Sequence, residues 1–241
     1  MQRSSQRRWN VRLLRFALVA AALAQAGSAR AHNEVSVRLS TTRVLDASYG
    51  GFSKSAGLLQ AELGYARSLV ELGRGALWVE GSWTVGASRT ELFGGEAKVD
   101  ALFHSVTVGA RYAVPIWPWL VPHLRLGAGA LFGAARLQPA ASGVGSSLTV
   151  TEADTDRTAG FAGYALAGIS ALVPRRWMRQ GGSGFTAGIV IEGGMSLASA
   201  LRFEARPKTD PELLAIPRVA SPLGGVSLSG PVLRLGAVVR F

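Results

Sequence analysis

Beyond residue 31, apolar and polar residues alternate with a period of two, in blocks of roughly ten separated by Gly, Pro and polar clusters. This is the spacing of strands with two unlike faces, not of helices. The last block is the clearest: Leu233, Leu235, Ala237, Val239 and Phe241 interleave with Val232, Arg234, Gly236, Val238 and Arg240. In the same way Leu77, Val79, Gly81, Trp83 and Val85 oppose Trp78, Glu80, Ser82 and Thr84. Leu102, His104, Val106, Val108, Ala110 and Tyr112 oppose Phe103, Ser105, Thr107, Gly109 and Arg111. Leu124, Leu126, Ala128, Ala130 and Phe132 oppose His123, Arg125, Gly127 and Gly129. Shorter versions occur at Leu59–Tyr65, Phe185–Met195 and Val35–Ser40, and 161–172 is apolar on both faces.

Eight strands follow, over 34–46, 57–69, 76–88, 98–113, 120–135, 158–173, 184–199 and 230–241. The connections between them alternate longer and shorter, the longer ones following strands 1, 3, 5 and 7. An even number of strands puts both chain ends on the short-turn side. That sorting is the habit of a transmembrane barrel with short turns on one side and longer loops on the other, and the fold class predicted is an all-β, antiparallel, up-and-down transmembrane barrel. Ten strands follow instead if 148–151 or 213–220 also pair.

The alternation alone also fits a soluble β-sandwich, in which the apolar faces meet in a core. Two features favour the inverted arrangement. Aromatic residues fall near strand ends, with Tyr65, Tyr112, Trp117, Trp119 and Phe185 toward the short turns and Phe132 and Phe161 toward the long loops, as in the girdles that sit at headgroup level. The polar face is also rich in Gly, which a narrow eight-stranded interior requires if a few large side chains are to fit.

Charge changes the picture mainly at the N-terminus. The 26 Lys+Arg against 15 Asp+Glu give +11, but Arg3, Arg7, Arg8, Arg12, Arg15 and Arg30 all lie in residues 1–31, which hold no acid. This stretch reads as a secretory signal peptide: a basic start, an apolar run over 16–26, and Ala29-Arg30-Ala31 as a small-x-small cleavage site. The mature chain then starts at His32, forms one domain over 32–241, and loses most of the argument for nucleic-acid binding. The apolar run is too short to cross ~30 Å of hydrocarbon as a helix. No cysteine is present, which excludes disulfides, thiol catalysis and lipoprotein acylation.

The pattern Leu233-x-Leu235-x-Ala237-x-Val239-x-Phe241 resembles the C-terminal assembly signal of bacterial outer-membrane proteins, a terminal Phe with apolar residues two, four, six and eight positions before it. With the signal peptide and the loop sorting, the chain resembles small eight-stranded outer-membrane barrels of the OmpA/OmpX type. The resemblance implies a Gram-negative outer-membrane location, recognition by the barrel assembly machinery, contact with outer-membrane lipid and lipopolysaccharide, and a monomer without a peptidoglycan-binding domain. It transfers no catalytic residue.

The predicted interior carries Arg38, Glu62, Glu80, Arg111, Arg125, Glu192, Arg234 and Arg240. An eight-stranded lumen is barely wide enough for side chains, and ions buried there must pair. The expectation is therefore a salt-bridged plug, with Glu80, Glu192 and Arg125 mid-lumen, in a non-enzymatic barrel with four external loops and a structural or surface-interaction role. The alternatives are a narrow channel for small or hydrophobic solutes and, more remotely, a lipid-A-modifying enzyme. For the latter, adjacent His104 and Ser105 point to opposite faces and cannot form a nucleophile–base pair. His123 reads as a hydrogen-bonded interior histidine. The triplet Glu152, Asp154 and Asp156 lacks the further ligands and Gly of a calcium loop. No metal or cofactor is expected. The fourth long connection, with mixed charge and four prolines, reads as an extended surface loop.

Overall fold

The computed structural model describes residues 32–92, 97–139, 154–173, 185–205 and 221–241; the proposed signal peptide lies outside them. The strands are β1 (Asn33–Arg43), β2 (Gly57–Leu72), β3 (Gly75–Leu92), β4 (Ala97–Ala113), β5 (Leu120–Pro139), β6 (Asp154–Leu172), β7 (Thr186–Ala198), β8 (Leu201–Ala205), β9 (Ser221–Val226) and β10 (Gly230–Arg240). All but β8 and β9 form one closed antiparallel barrel, in which β10 seals the cylinder by pairing with both β1 and β7. The barrel has eight strands, and β1 is one of them. The segments 148–151 and 213–220 lie outside the described residues. The additional pairing sits elsewhere: β8 and β9 form a separate two-stranded sheet.

The alternation decides which way each strand faces, and it faces as an inverted barrel. Val108, Leu235 and Ile191 are 64%, 57% and 52% exposed, so they share no oily centre. Val37, Leu39, Leu63, Leu126 and Leu233 on the same face are exposed as well, while Arg38, Glu62, Arg125 and Glu192 between them are buried. In water such a continuous apolar belt would be a severe liability; in hydrocarbon it is the stable surface, and closure leaves no strand edge unpaired. The sandwich reading is excluded.

The start of β1 and the C-terminal Phe241 lie together at the turn end. Asn33 and Phe241 exchange backbone hydrogen bonds of 2.8 and 2.9 Å. Gly73 (φ 61°) provides the left-handed position in the two-residue link from β2 to β3, where a β-carbon would be strained. Aromatic side chains ring this end. Trp117 and Trp119 stack at 5.5 Å, Phe185 packs on Phe241 at 5.8 Å, the Tyr65 hydroxyl donates to Asn33 Oδ1 and that of Tyr112 to the Leu72 carbonyl. Phe132 and Phe161, 47% and 52% exposed, stand toward the loop end.

Three expectations are corrected here. β1 stops at Arg43 rather than residue 46, because Asp46 caps a short 3-10 turn over Ala47–Gly51. Connection lengths sort less cleanly than expected: β3 and β4 continue to Leu92 and Ala97, leaving only 93–96 between them, while the β6–β7 link covers 173–185. The residues assigned to that loop are spent on strand instead. As a result β3, β4, β5 and β6 have 18, 17, 20 and 19 residues against 11, 13 and 11 for β1, β7 and β10, and the barrel has one tall wall. Thirdly, the flanks of the fourth long connection do not extend over the surface. They turn inward as β8 and β9.

Candidate functional site

The interior is built in three layers. At mid-height, Arg125 on β5 donates to Glu192 Oε2 (2.6 Å), Glu80 Oε1 (2.7 Å) and Glu62 Oε1 (3.3 Å), reaching β7, β3 and β2 at once. Arg38 on β1 donates to Glu62 Oε1 at 2.7 Å and lies 3.7 Å from Glu192 Oε2. Arg234 on β10 completes the pairing of Glu62. Three guanidiniums thus meet three carboxylates. The balance matters, because a buried ion lacking its partner costs several kcal/mol, whereas charge-assisted bonds in a dry site are strong.

Tyr164 and His123 finish this layer. The Tyr164 hydroxyl donates to Glu80 Oε1 at 2.7 Å, and its ring lies under Arg234 and Arg125 at 4.9 and 5.2 Å, so one residue supplies a hydrogen bond and two cation–π contacts. His123 Nε2 is 2.9 Å from Glu192 Oε1. Glycine makes the space. A Cβ at Gly168 would fall 2.6 Å from Glu192 Cγ and 2.9 Å from His123 Nε2, and one at Gly64 would fall 2.9 Å from Arg38 Nη1.

Toward the turn end, Glu34 on β1 pairs with Arg111 (2.5 Å) and Arg240 (2.7 Å). Both guanidiniums lie over the Trp78 ring, at 4.8 and 5.2 Å. Buried Ala66, Ala113, Val121, Leu172 and Val238 pack around it. All eight interior charges picked out in the sequence therefore lie inside the barrel, in two separate groups. Glu34 and Tyr164 were not among them. Glu34 precedes the clear alternation, and Tyr164 sits in the segment that is apolar on both faces. Register supplies the missing signal, since Glu34 is opposite Arg240.

The loop-end layer corrects the expectation of a lumen that is polar throughout. Leu58, Val99, Ala101, Phe103, Leu131 and Ala135 point inward from the tall wall and β2. They pack with Leu201 and Phe203 of β8, Val226 of β9, Leu228, Tyr49 of the 3-10 turn and Phe52 at its C-cap. Phe52 and Phe203 meet at 5.3 Å. This end lies beyond the charged layer, so only apolar side chains facing each other can fill it without unpaired ions. Hydrogen bonds anchor the cap. Ser227 and Ser229 hydroxyls reach the Ala198 carbonyl at 2.8 and 3.1 Å. Asp46 accepts the backbone N–H groups of Ser227 (2.7 Å) and Ser48 (2.9 Å), and these bonds, Ser227 first, hold its carboxyl below the usual carboxylate range.

The remaining candidates are scattered. His104 faces the lipid side, stacked on Trp83 at 6.1 Å, and forms no dyad with Ser105. Asp156 lies on β6, Glu152 lies outside the described residues, and no cluster of metal-binding side chains occurs among the described residues. The assembly-signal residues Leu233, Leu235 and Val239 face outward on β10, Ala237 lies on the same face, and Phe241 follows directly after the strand, 36% exposed.

Hydrocarbon outside, paired charge inside and closed strand pairing define a small transmembrane β-barrel whose lumen is filled with its own side chains. No protein-family model matches the chain, and no curated protein matches it in sequence. Among solved structures it is similar to the attachment invasion locus protein Ail of Yersinia pestis, crystallised with the heparin analogue sucrose octasulfate, at 16% identity over 88% of this chain and 99% of that one, TM-score 0.42. It is also similar to Neisserial surface protein A (11%, 89% and 97%, TM-score 0.41) and to the N-terminal β-barrel domain of Pseudomonas aeruginosa OprF (12%, 88% and 100%, TM-score 0.33). The strand pairing and the inverted polarity define the class independently of these likenesses.

Proposed function

We propose that the chain is a non-enzymatic, non-conducting barrel of the bacterial outer membrane whose work is done at its external end. The apolar belt and the two aromatic girdles support a membrane location, and the basic, apolar leader with its small-x-small site supports export. The observation that carries the closed-lumen reading is the complete burial of Glu62 and Glu192, whose side chains are 0% exposed. No water-sized space touches either carboxylate, so a solute has no path between them. With the lumen occupied, what remains available to other molecules is the tall wall and the external connections, which suits a structural or surface-interaction role.

Planar-bilayer recording of the purified mature barrel tests this. The expected trace is flat, and regular conductance steps altered by Arg125→Ala or Glu192→Ala would overturn the reading in favour of a channel. Unaltered lipid A mass spectra in overexpressing cells are expected, and a new lipid A species that disappears with His104→Ala or His123→Ala would establish an enzyme instead.

A further inference from the structure

The two ion groups of the lumen are not built to the same count. The mid-height group sets Arg38, Arg125 and Arg234 against Glu62, Glu80 and Glu192. The turn-end group sets Arg111 and Arg240 against Glu34 alone. Both oxygens of that carboxylate are used, Oε1 by Arg111 Nη1 and Oε2 by Arg240 Nε. One acid therefore holds two guanidiniums side by side and neutralises one of them. Arg111 also stands directly opposite Arg125 in the β4–β5 register, and like charges so placed repel.

The hydrogen-bond donors point the same way. Arg111 Nε and Nη2, Arg240 Nη2 and Trp78 Nε1 are buried and have no acceptor among the described residues. Buried donors are nearly always paired, and here the surplus donors belong to the group with the surplus charge. The buried side chains around Trp78, such as Ala113, Val121 and Leu172, are apolar. The Trp78 ring lies under both guanidiniums, and this cation–π contact attracts them without supplying a net charge. Phe241, next to Arg240, spends its main-chain oxygen on the Asn33 N–H at 2.8 Å. Water would satisfy the donors but not the charge, and an unmatched ion in such surroundings is strongly destabilising.

We infer that the turn end of the lumen binds a small monovalent anion of the chloride class, held by the free N–H groups of Arg111, Arg240 and Trp78. One negative charge restores the count. Both Glu34 oxygens are taken, so a ligand with its own hydroxyl, such as hydrogen phosphate, would bring a donor that finds no acceptor. The route in runs past Arg240, whose side chain is 16% exposed against 1% for Arg111. The anion enters from the turn side, below the mid-height group, and its binding does not depend on whether the lumen conducts.

Urea unfolding of the mature barrel in lipid vesicles, run in sodium chloride and in sodium gluconate at equal ionic strength, tests it. For the wild type, chloride at about ten times its dissociation constant should raise the folded-to-unfolded ratio about tenfold over gluconate. The response should saturate, and bromide should replace chloride. Arg240→Gln keeps the Glu34–Arg111 pair and removes the surplus charge, so it should unfold alike in both salts. Glu34→Gln doubles the surplus and should respond to chloride more strongly than the wild type. Wild-type barrel in micelles should also broaden the chloride NMR line, and Arg240→Gln should not. Equal unfolding of the wild type in the two salts, or a chloride response undiminished in Arg240→Gln, would overturn the inference. Should Glu34→Gln fail to fold in either salt, the comparison of wild type with Arg240→Gln decides alone.

Discussion

The ring of Tyr164 on β6 occupies the space that a side chain on Gly127 of β5 would need. A Cβ built at Gly127 would fall 2.5 Å from the phenolic oxygen and 2.6 Å from Cε1. The two residues are direct register partners, so neither can move away along the sheet. Because that ring also supports Arg125 and Arg234, crowding it disturbs the ion network. Gly127→Ala is expected to destabilise the barrel by about 1–3 kcal/mol through overpacking, and Gly127→Ala/Tyr164→Phe to remain destabilised because the ring stays. Urea unfolding in lipid vesicles, followed by gel mobility, measures this.

Removing Arg125 leaves Glu62, Glu80 and Glu192 facing Arg38 and Arg234 alone. Arg125→Met is expected to cost about 3–5 kcal/mol, the usual penalty for breaking a buried pair from one side. Restoring the count with Glu80→Gln in the same chain should return a large part of it. If the double variant is no more stable than Arg125→Met in the same unfolding assay, charge balance is not what holds this layer.

Asp46 is the point where acid should act on the cap. Its carboxyl is held low by the Ser227 and Ser48 N–H groups, so the folded state binds its proton less readily than the unfolded chain does. Its contribution is therefore fully present above the ordinary carboxylate pKa of about 3.9, and it is lost as the pH falls through the folded value. Hydrogen exchange at the amides of Ser48 and Ser227 should speed up in that acid range beyond the intrinsic pH trend. Asp46→Ala should show the faster exchange already at neutral pH, with the mid-lumen strands unaffected.

The parts legible in the sequence are those governed by strict alternation. Arg125, Glu80 and Glu192 could be placed inside because His123–Phe132, Leu77–Val85 and Phe185–Met195 alternate cleanly. Two things were hidden. Residues 161–172 are apolar on both faces, so nothing local marks Tyr164 as an inward residue; the cavity left by Gly109 and Gly127 across the register does. The apolar cap was hidden because Leu201 and Phe203 sit among prolines and mixed charge, a composition that reads as surface loop, while their docking surface is the inner side of β5 and β6. Gly133, where a Cβ would fall 2.8 Å from Leu201 Cδ1 and 2.9 Å from Phe203 Cζ, is the corresponding trace in the wall.

The layering predicts that closing the barrel is done twice. The cap is a body distinct from the wall, since among the described residues β8 and β9 pair only with each other. Its apolar side chains are held by packing and a few serine bonds. The charged layer beneath is held by residues of the wall itself and does not depend on the cap. Replacing 199–229 by a short Gly/Ser link should therefore expose Phe103 and Leu131 to water, raising binding of a hydrophobic dye, yet leave bilayer recordings flat. Only when that deletion is combined with Arg125→Ala/Glu192→Ala, which empties the middle of the lumen, should conductance steps appear. Steps from the deletion alone would mean that the ion network is permeable and that the cap is the real gate.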